Sequence, residues 1–219
     1  GKSLTFMAKY NEREGNSCHI HLSLRGADGQ IVFWDEKKGQ RTPLYDSFVA
    51  GVLATMTDFT LLYAPNVNSY KRFAAGSFAP TTIAWGEDNR TCAVRLVGTG
   101  AGARMENRVP GGDVNPYLAV AAMLAGGLHG IEKGLTLEPP LEGNAYTSGR
   151  TQVPRTLRDA RDVFHSSQVA RAAFGDLTQV THVVFAAYLE RPTMAETTGP
   201  NLAMLTNALD ALRTARAPL

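Results

Sequence analysis

The chain has 219 residues, 44% of them apolar and 19% charged, which suffices for one sizeable domain with a real core and lies outside the disordered range. Its formal charge is +2, with the basic residues spread along the sequence, a balance that argues against nucleic acid or a membrane surface as partner. The longest apolar stretches are broken by Asp58 or by Gly126-Gly127 and fall short of a bilayer span; no signal-peptide pattern opens the chain. Two cysteines, Cys18 and Cys92, form no Cys-x-x-Cys pair and read as buried reduced thiols of a cytoplasmic protein.

Residues 3–9 and 17–25 read as strands joined by the polar turn 11–16. The first of them is entered directly from Gly1-Lys2-Ser3 without an initiator Met, so the chain is expected to be a fragment. A turn at Ala27-Asp28-Gly29-Gln30 precedes a short strand over 31–34. Leu44, Phe48, Val52, Met56, Phe59 and Leu62 recur at helical spacing and predict one helix from Pro43 to Tyr63, stopped by Ala64-Pro65. A loop with Asn66, Asn68 and Ser69 leads into Tyr70-Lys71-Arg72-Phe73. Strands are expected over 83–86, 91–97 and 103–109, the last after the flexible connector 98–102. Asn115 and Pro116 supply the N-cap and first-turn residues of a helix to about Lys133, apolar nearly all round and therefore buried. Three more helical stretches fill 156–190, interrupted near Ser166 and Gly175, and the tail after Pro192 is weakly patterned. Strands first and helices after predict an α+β fold, an antiparallel sheet backed by helices, with no internal repeat and no linker long enough for two domains.

Two of the expected strands carry charge on one face. Alternation puts His19, His21 and Ser23 together, with Cys18, Ile20 and Leu22 behind them. It likewise groups Arg104, Glu106 and Arg108. The two strands read as facing walls of one cavity, equipped for a metal, a phosphate and a carboxylate. Each motif alone also fits something plainer: two satisfied histidines, or a cross-strand ion-pair ladder. Arg95 lies in an apolar strand where an unpaired charge is costly, whereas Arg72 and Arg90 pass for surface residues. No P-loop or nucleophile-elbow pattern is present, and a zinc site on His19 and His21 lacks a Cys or His partner at the usual spacing.

The order of these elements resembles the C-terminal part of the catalytic domain of type I glutamine synthetases and their γ-glutamylamide ligase relatives. The matching segments are Gly15 to Leu24, Asn68-Ser69-Tyr70-Lys71-Arg72, Ala79-Pro80 through Trp85 to Arg90 and Arg95, Arg104 to Pro110, and Asn115 to Ala119. The resemblance implies a curved antiparallel sheet backed by helices and an ATP-dependent ligation of glutamate to an amine through a γ-glutamyl phosphate. It implies that His19 and Glu106 are ligands of Mg2+ or Mn2+ and that His21 and Ser23 contact ATP. Arg72 and Arg108 then hold glutamate carboxylates, Gly15 meets its amino end, and Arg90 and Arg95 grip the transferring phosphoryl group and the polyphosphate. Such a site must surround two anions with metal and fixed guanidinium charge, a task for which the planar fork of Arg suits better than Lys.

Three positions depart from the family pattern. Phe78 stands where ammonia-using members carry a Glu that binds ammonium and accepts its proton, Ala101 replaces an ATP-contacting Lys, and Glu14 replaces an Asn near the glutamate amino group. A phenyl ring takes no proton, so Phe78 predicts a primary amine or polyamine as nucleophile; an ammonia-using glutamine synthetase and a non-catalytic nucleotide-binding paralogue are the alternatives. The resemblance places most metal-ligating glutamates and a small β-grasp domain upstream of these residues. It implies double-ring dodecamers with active sites shared between subunits, so the chain alone is expected to be inactive.

Overall fold

The computed structural model describes residues 4–175 and separates the chain into two units, Gly1–Phe164 and His165–Leu219. In order the elements are β1 (Ile20–Leu22), β2 (Trp34–Asp35), β3 (Gln40–Arg41), α1 (Pro43–Ala54), α2 (Met56–Tyr63) and α3 (Val67–Tyr70). There follow β4 (Trp85–Glu87), β5 (Val94–Val97), β6 (Arg104–Asn107), α4 (Pro116–Glu132), α5 (Leu157–Ser166) and α6 (Gln168–Phe174). The fold is α+β. The predicted third helical stretch and the tail after Pro192 lie outside the described residues.

One sheet carries the site, in the order β1-β6-β5-β4. Its β1–β6 and β6–β5 pairs are antiparallel as expected, but β4 and β5 run parallel, so the sheet is mixed. Parallel neighbours normally need a crossover of about a dozen residues. Here both strands are so short that residues 88–93, with a reach of roughly 20 Å, return the chain alongside itself. Asp88 opens the return in the left-handed region at φ 49. Asn89 closes it, its Oδ1 accepting from the Thr91 amide at 3.0 Å and hydroxyl at 2.7 Å, the usual service of Asn in a turn.

Residues 4–9 form no strand, which corrects the expected first hairpin. Their backbone is satisfied by side chains instead: Asn16 Nδ2 donates to the Met7 carbonyl at 2.8 Å, and Asn68 bonds both the amide and the carbonyl of Lys9 at 2.8 Å. The predicted 43–63 helix is two helices. Thr55, at φ −98 and ψ 1, ends α1, and its hydroxyl turns back to the Gly51 carbonyl at 2.9 Å, a local bond that competes with the helical ladder. α4 starts as expected, the Asn115 side chain accepting from the amides of Tyr117 and Leu118.

α1 and α4 meet backbone to backbone. A Cβ on Gly130 would fall 2.1 Å from the Ser47 carbonyl oxygen, and one on Gly51 2.2 Å from that of Gly126, distances that only glycine tolerates. Beside this contact Phe33 stacks on Tyr45, ring centroids 4.2 Å apart. On the sheet, Val94, Leu96 and Met105 bury one face and leave the other to charged residues. In the second unit α6 is capped by Ser167, whose hydroxyl accepts from the Ala170 amide at 3.0 Å, and ended by Gly175 at φ 76.

Candidate active site

Sheet register assembles the charged face. His21 pairs with Glu106, and Glu106 with Arg95, so three strands contribute one row of polar side chains. Residues directly opposite on neighbouring strands share a face, and alternation adds His19, Arg104 and Arg108. The two motif strands are thus hydrogen-bonded neighbours, not facing walls: antiparallel pairing of β1 with β6 lays both polar rows side by side.

Glu106 is the hub of the row. It is 3% exposed, yet its Oε1 accepts from Arg108 at 2.9 Å and its Oε2 from Arg95 at 3.0 Å. His19 Nδ1 stands 3.1 Å and His21 Nε2 3.7 Å from Oε1. Burial works to raise the pKa of this carboxyl, but the Arg95 hydrogen bond and the Arg108 charge outweigh it, so the group is held below its ordinary value and is ionised. Burial first, and then the charge of Arg108, push the His19 imidazole down to about 4, leaving it neutral at pH 7. Its Nδ1 faces both Glu106 and, at 3.5 Å, Arg108, and its Nε2 is buried without a hydrogen-bond partner. Arg95 is doubly paired, to Glu106 and to the exposed carboxylate of Asp88, which meets the expectation that a charge in an apolar strand needs partners. Arg104 Nε donates to His21 Nδ1 at 3.2 Å.

A second group adjoins the first through Arg108. Arg72, read from sequence as a surface residue by default, is 3% exposed and donates to the main-chain carbonyls of Arg108 and Val109. Burial lowers its pKa to about 10, still charged at neutral pH. The Nε atoms of both Arg72 and Arg108 are buried without partners, two fixed donors aimed at no group of their own. Gly15 lies under Arg72: a Cβ there would sit 2.6 Å from Arg72 Cγ. Phe78 has a left-handed backbone at φ 57, rare for a bulky residue, and the residue is 59% exposed. Its carbonyl accepts from Arg108 at 3.3 Å, which ties the Phe78 turn directly to the arginine.

The structure thus brings together His19, His21, Glu106, Arg95, Arg108, Arg72, Gly15 and Phe78. Ser23 and Arg90 are exposed, and among the described residues no hydrogen bond or ion pair fastens either to the group; Arg90 lies within electrostatic reach of Asp88. Glu14 and Ala101 are exposed as well. Sequence reading missed Asp88, the second partner of Arg95. It also missed Asp113, whose Oδ2 accepts from Ser69 at 2.8 Å and Asn66 at 3.1 Å while its charge supports Arg72. Neither belongs to a recognisable motif; only the Asx-type turn around Asp88 offered a cue. Beside Arg95 and Asp88 opens a cavity of about 750 Å3, bounded also by Trp34, Arg41, Tyr45 and Thr99.

For a divalent cation the donor types fit in part. A neutral imidazole with a free nitrogen and an ionised carboxylate are what such an ion takes. Among the described residues no group of three His, Cys, Asp or Glu side chains is arranged to hold a metal. No helix of the described residues is long and apolar enough to cross a membrane.

Residues 1–191 match the family model of the glutamine synthetase catalytic domain. The chain belongs to that family. It is 60% identical over 176 residues to a γ-glutamylethanolamide synthetase of Streptomyces coelicolor, covering 80% of this chain and 38% of the relative. It is 41% identical over 180 residues to a glutamate–isopropylamine ligase of a Pseudomonas species, covering 80% and 39%. Among solved structures, GmaS without ligand superposes with a TM-score of 0.70 at 29% identity, over 98% of this chain and 46% of that one. The chain therefore spans about two fifths of the length of the curated relatives it matches. Glutamine synthetase family enzymes in general use ATP and divalent metals.

Proposed function

We propose that these residues form the C-terminal catalytic portion of an ATP-dependent glutamate–amine ligase, cytoplasmic and oligomeric, whose nucleophile is a small primary amine rather than ammonia. The observation that carries the reading is a buried carboxylate, Glu106, ringed by Arg95, Arg108 and His19, with unpartnered guanidinium nitrogens on Arg72 and Arg108 beside it. Counting Asp88 beside Arg95 and Asp113 near Arg72 with Glu106, three carboxylates stand against Arg72, Arg95, Arg104 and Arg108, a net positive balance suited to a polyphosphate and a dicarboxylate.

In the reaction, an oxygen of the glutamate γ-carboxylate attacks the γ-phosphorus of ATP and ADP leaves. The amine nitrogen then attacks the acyl carbon, inorganic phosphate departs, and the nitrogen loses a proton. Arg72, Arg108 and Gly15 hold glutamate. Arg90 and Arg95 stabilise the phosphoryl group in flight, and His21 and Ser23 receive the nucleotide. His19 and Glu106 would hold Mg2+ or Mn2+, which when bound neutralises phosphate charge. Phe78, apolar, exposed and one hydrogen bond from Arg108, sets the amine entrance; relatives that join glutamate to ethanolamine or isopropylamine support this choice of nucleophile.

The test is ATP-dependent phosphate release by the whole protein with glutamate and, in turn, ammonium, ethanolamine, isopropylamine and putrescine. Release with an organic amine and not with ammonium is expected. Release with ammonium alone would make the protein an ordinary glutamine synthetase, and silence throughout would make it a non-catalytic paralogue.

A further inference from the structure

We infer that Tyr146 is a positioning residue for the amine substrate: its hydroxyl holds the backbone turn that presents the Phe78 ring to the incoming nucleophile. The inference rests on the reading of Phe78 as the amine-site determinant.

The geometry is direct. Tyr146 donates from its hydroxyl to the Ala79 carbonyl at 3.0 Å, while Arg108 donates to the Phe78 carbonyl at 3.3 Å. Two consecutive carbonyls are thus tethered from outside the loop, one by the arginine assigned to glutamate and one by the tyrosine. Phe78 needs such tethers. Its φ of 57 is strained for an L-residue and persists only where the surroundings impose it. The loop's own bonds centre on Ser77, whose amide and hydroxyl donate to the Ala74 carbonyl at 3.3 and 2.6 Å and whose hydroxyl accepts from the Ala79 amide at 3.3 Å. None of them holds the carbonyl of Phe78 or Ala79, and Ala74, Ala75, Gly76 and Phe78 are exposed. A cavity of about 390 Å3, bounded by Phe73, Ala75, Thr81 and Tyr146, adjoins the loop.

Tyr146, by contrast, springs from a fixed base. It sits in the 3-10 turn Ala145–Thr147, where buried Ala145 bonds through its amide to the Thr91 hydroxyl at 2.9 Å and through its carbonyl to that of Thr82 at 3.0 Å. Asn144 Oδ1 accepts from the Tyr146 amide at 3.0 Å. Burial raises the phenol pKa, so the hydroxyl keeps the proton it donates. A rigid donor against a loosely packed, strained acceptor loop is the arrangement expected of a group that positions.

Tyr146→Phe removes one oxygen and keeps the ring. Hydrogen exchange on the chain reads the tether without turnover: the amides of residues 76–79 are expected to exchange about fivefold faster, the worth of one such hydrogen bond, while β5 and β6 stay unchanged. In the whole protein, the KM for the amine should rise about fivefold or more, with kcat and the KM values for glutamate and ATP within about twofold. In a Phe78→Ala background the same substitution should have no further effect, since a residue acting through Phe78 couples to it. Unchanged exchange, an equal penalty with and without Phe78, or parallel losses for all three substrates would each overturn the inference. Should Phe78→Ala leave amine use untouched while Tyr146→Phe still loosens the loop, the reading of Phe78 fails, and the role of Tyr146 toward the amine fails with it.

Discussion

On the proposed reading, Phe78 decides the nucleophile. An ammonium site needs a carboxylate that attracts a cation and takes its proton; an exposed residue with a phenyl ring in a strained turn, tied to Arg108, offers neither. Phe78→Glu in the whole protein should therefore raise kcat/KM for ammonium by on the order of 10- to 100-fold and lower it for the organic amine, measured by phosphate release. The two thiols provide a second test at this scale. Burial pushes the Cys92 thiol up to about 11, whereas Cys18 is only partly buried, and only thiolate reacts. Native protein at pH 8 should take up one equivalent of iodoacetamide, at Cys18, and two after unfolding. Because the folded state holds the Cys92 proton more tightly than the unfolded one, its contribution is full below the unfolded value of 9.0 and is lost as pH rises to about 11. That component, on the order of 2 kcal/mol, should be missing from Cys92→Ala when urea midpoints at pH 8 and pH 11 are compared.

Among the elements, the α1–α4 contact is the one with least slack. Gly51, Gly126 and Gly130 let the two backbones touch, and the usual gain of replacing a helical glycine by alanine, about 1 kcal/mol, is reversed where the new methyl meets a main chain that cannot retreat. Gly130→Ala should destabilise the protein by about 1–3 kcal/mol, seen as a lower Tm. Leu128→Ala, on the exposed side of the same helix at 52% exposure, should change Tm little. The sheet depends on a different economy of length: β4 and β5 lie parallel across a short loop only because each strand spans so few residues. The loop that allows this also carries Asp88 to Arg95, so a feature of topology supplies an ion pair of the site.

At the scale of the molecule, the question is how much of a metal site these residues hold. Two potential metal ligands, His19 and Glu106, stand together, and among the described residues no third donor completes a metal-holding group. With relatives more than twice as long, we expect the 219-residue chain by itself to give no ATP-dependent phosphate release with any amine. Turnover by the purified chain would contradict this.

The sequence alone determined the charged face of the sheet. A period of two on His19, His21 and on Arg104, Glu106, Arg108 is dictated by the pleat, and Arg95 in an apolar strand demanded partners; both follow from local chemistry. It also carried the helix starts at Pro43 and Pro116, because caps are local signals. What it could not settle were matters of register and distance. That His21 lies opposite Glu106, that Arg72 is buried against the Arg108 main chain, and that Asp88, Asp113 and Tyr146 join the group depend on which backbones pair and how closely helices approach. Thr55 divided a helix whose apolar spacing read as continuous, since a hydroxyl bonding back one turn leaves no trace in periodicity. Residues 4–9 have a strand-like pattern but find Asn16 and Asn68 instead of a neighbouring strand. Alternation tells a residue which way to face, and only the folded chain decides what stands there to meet it.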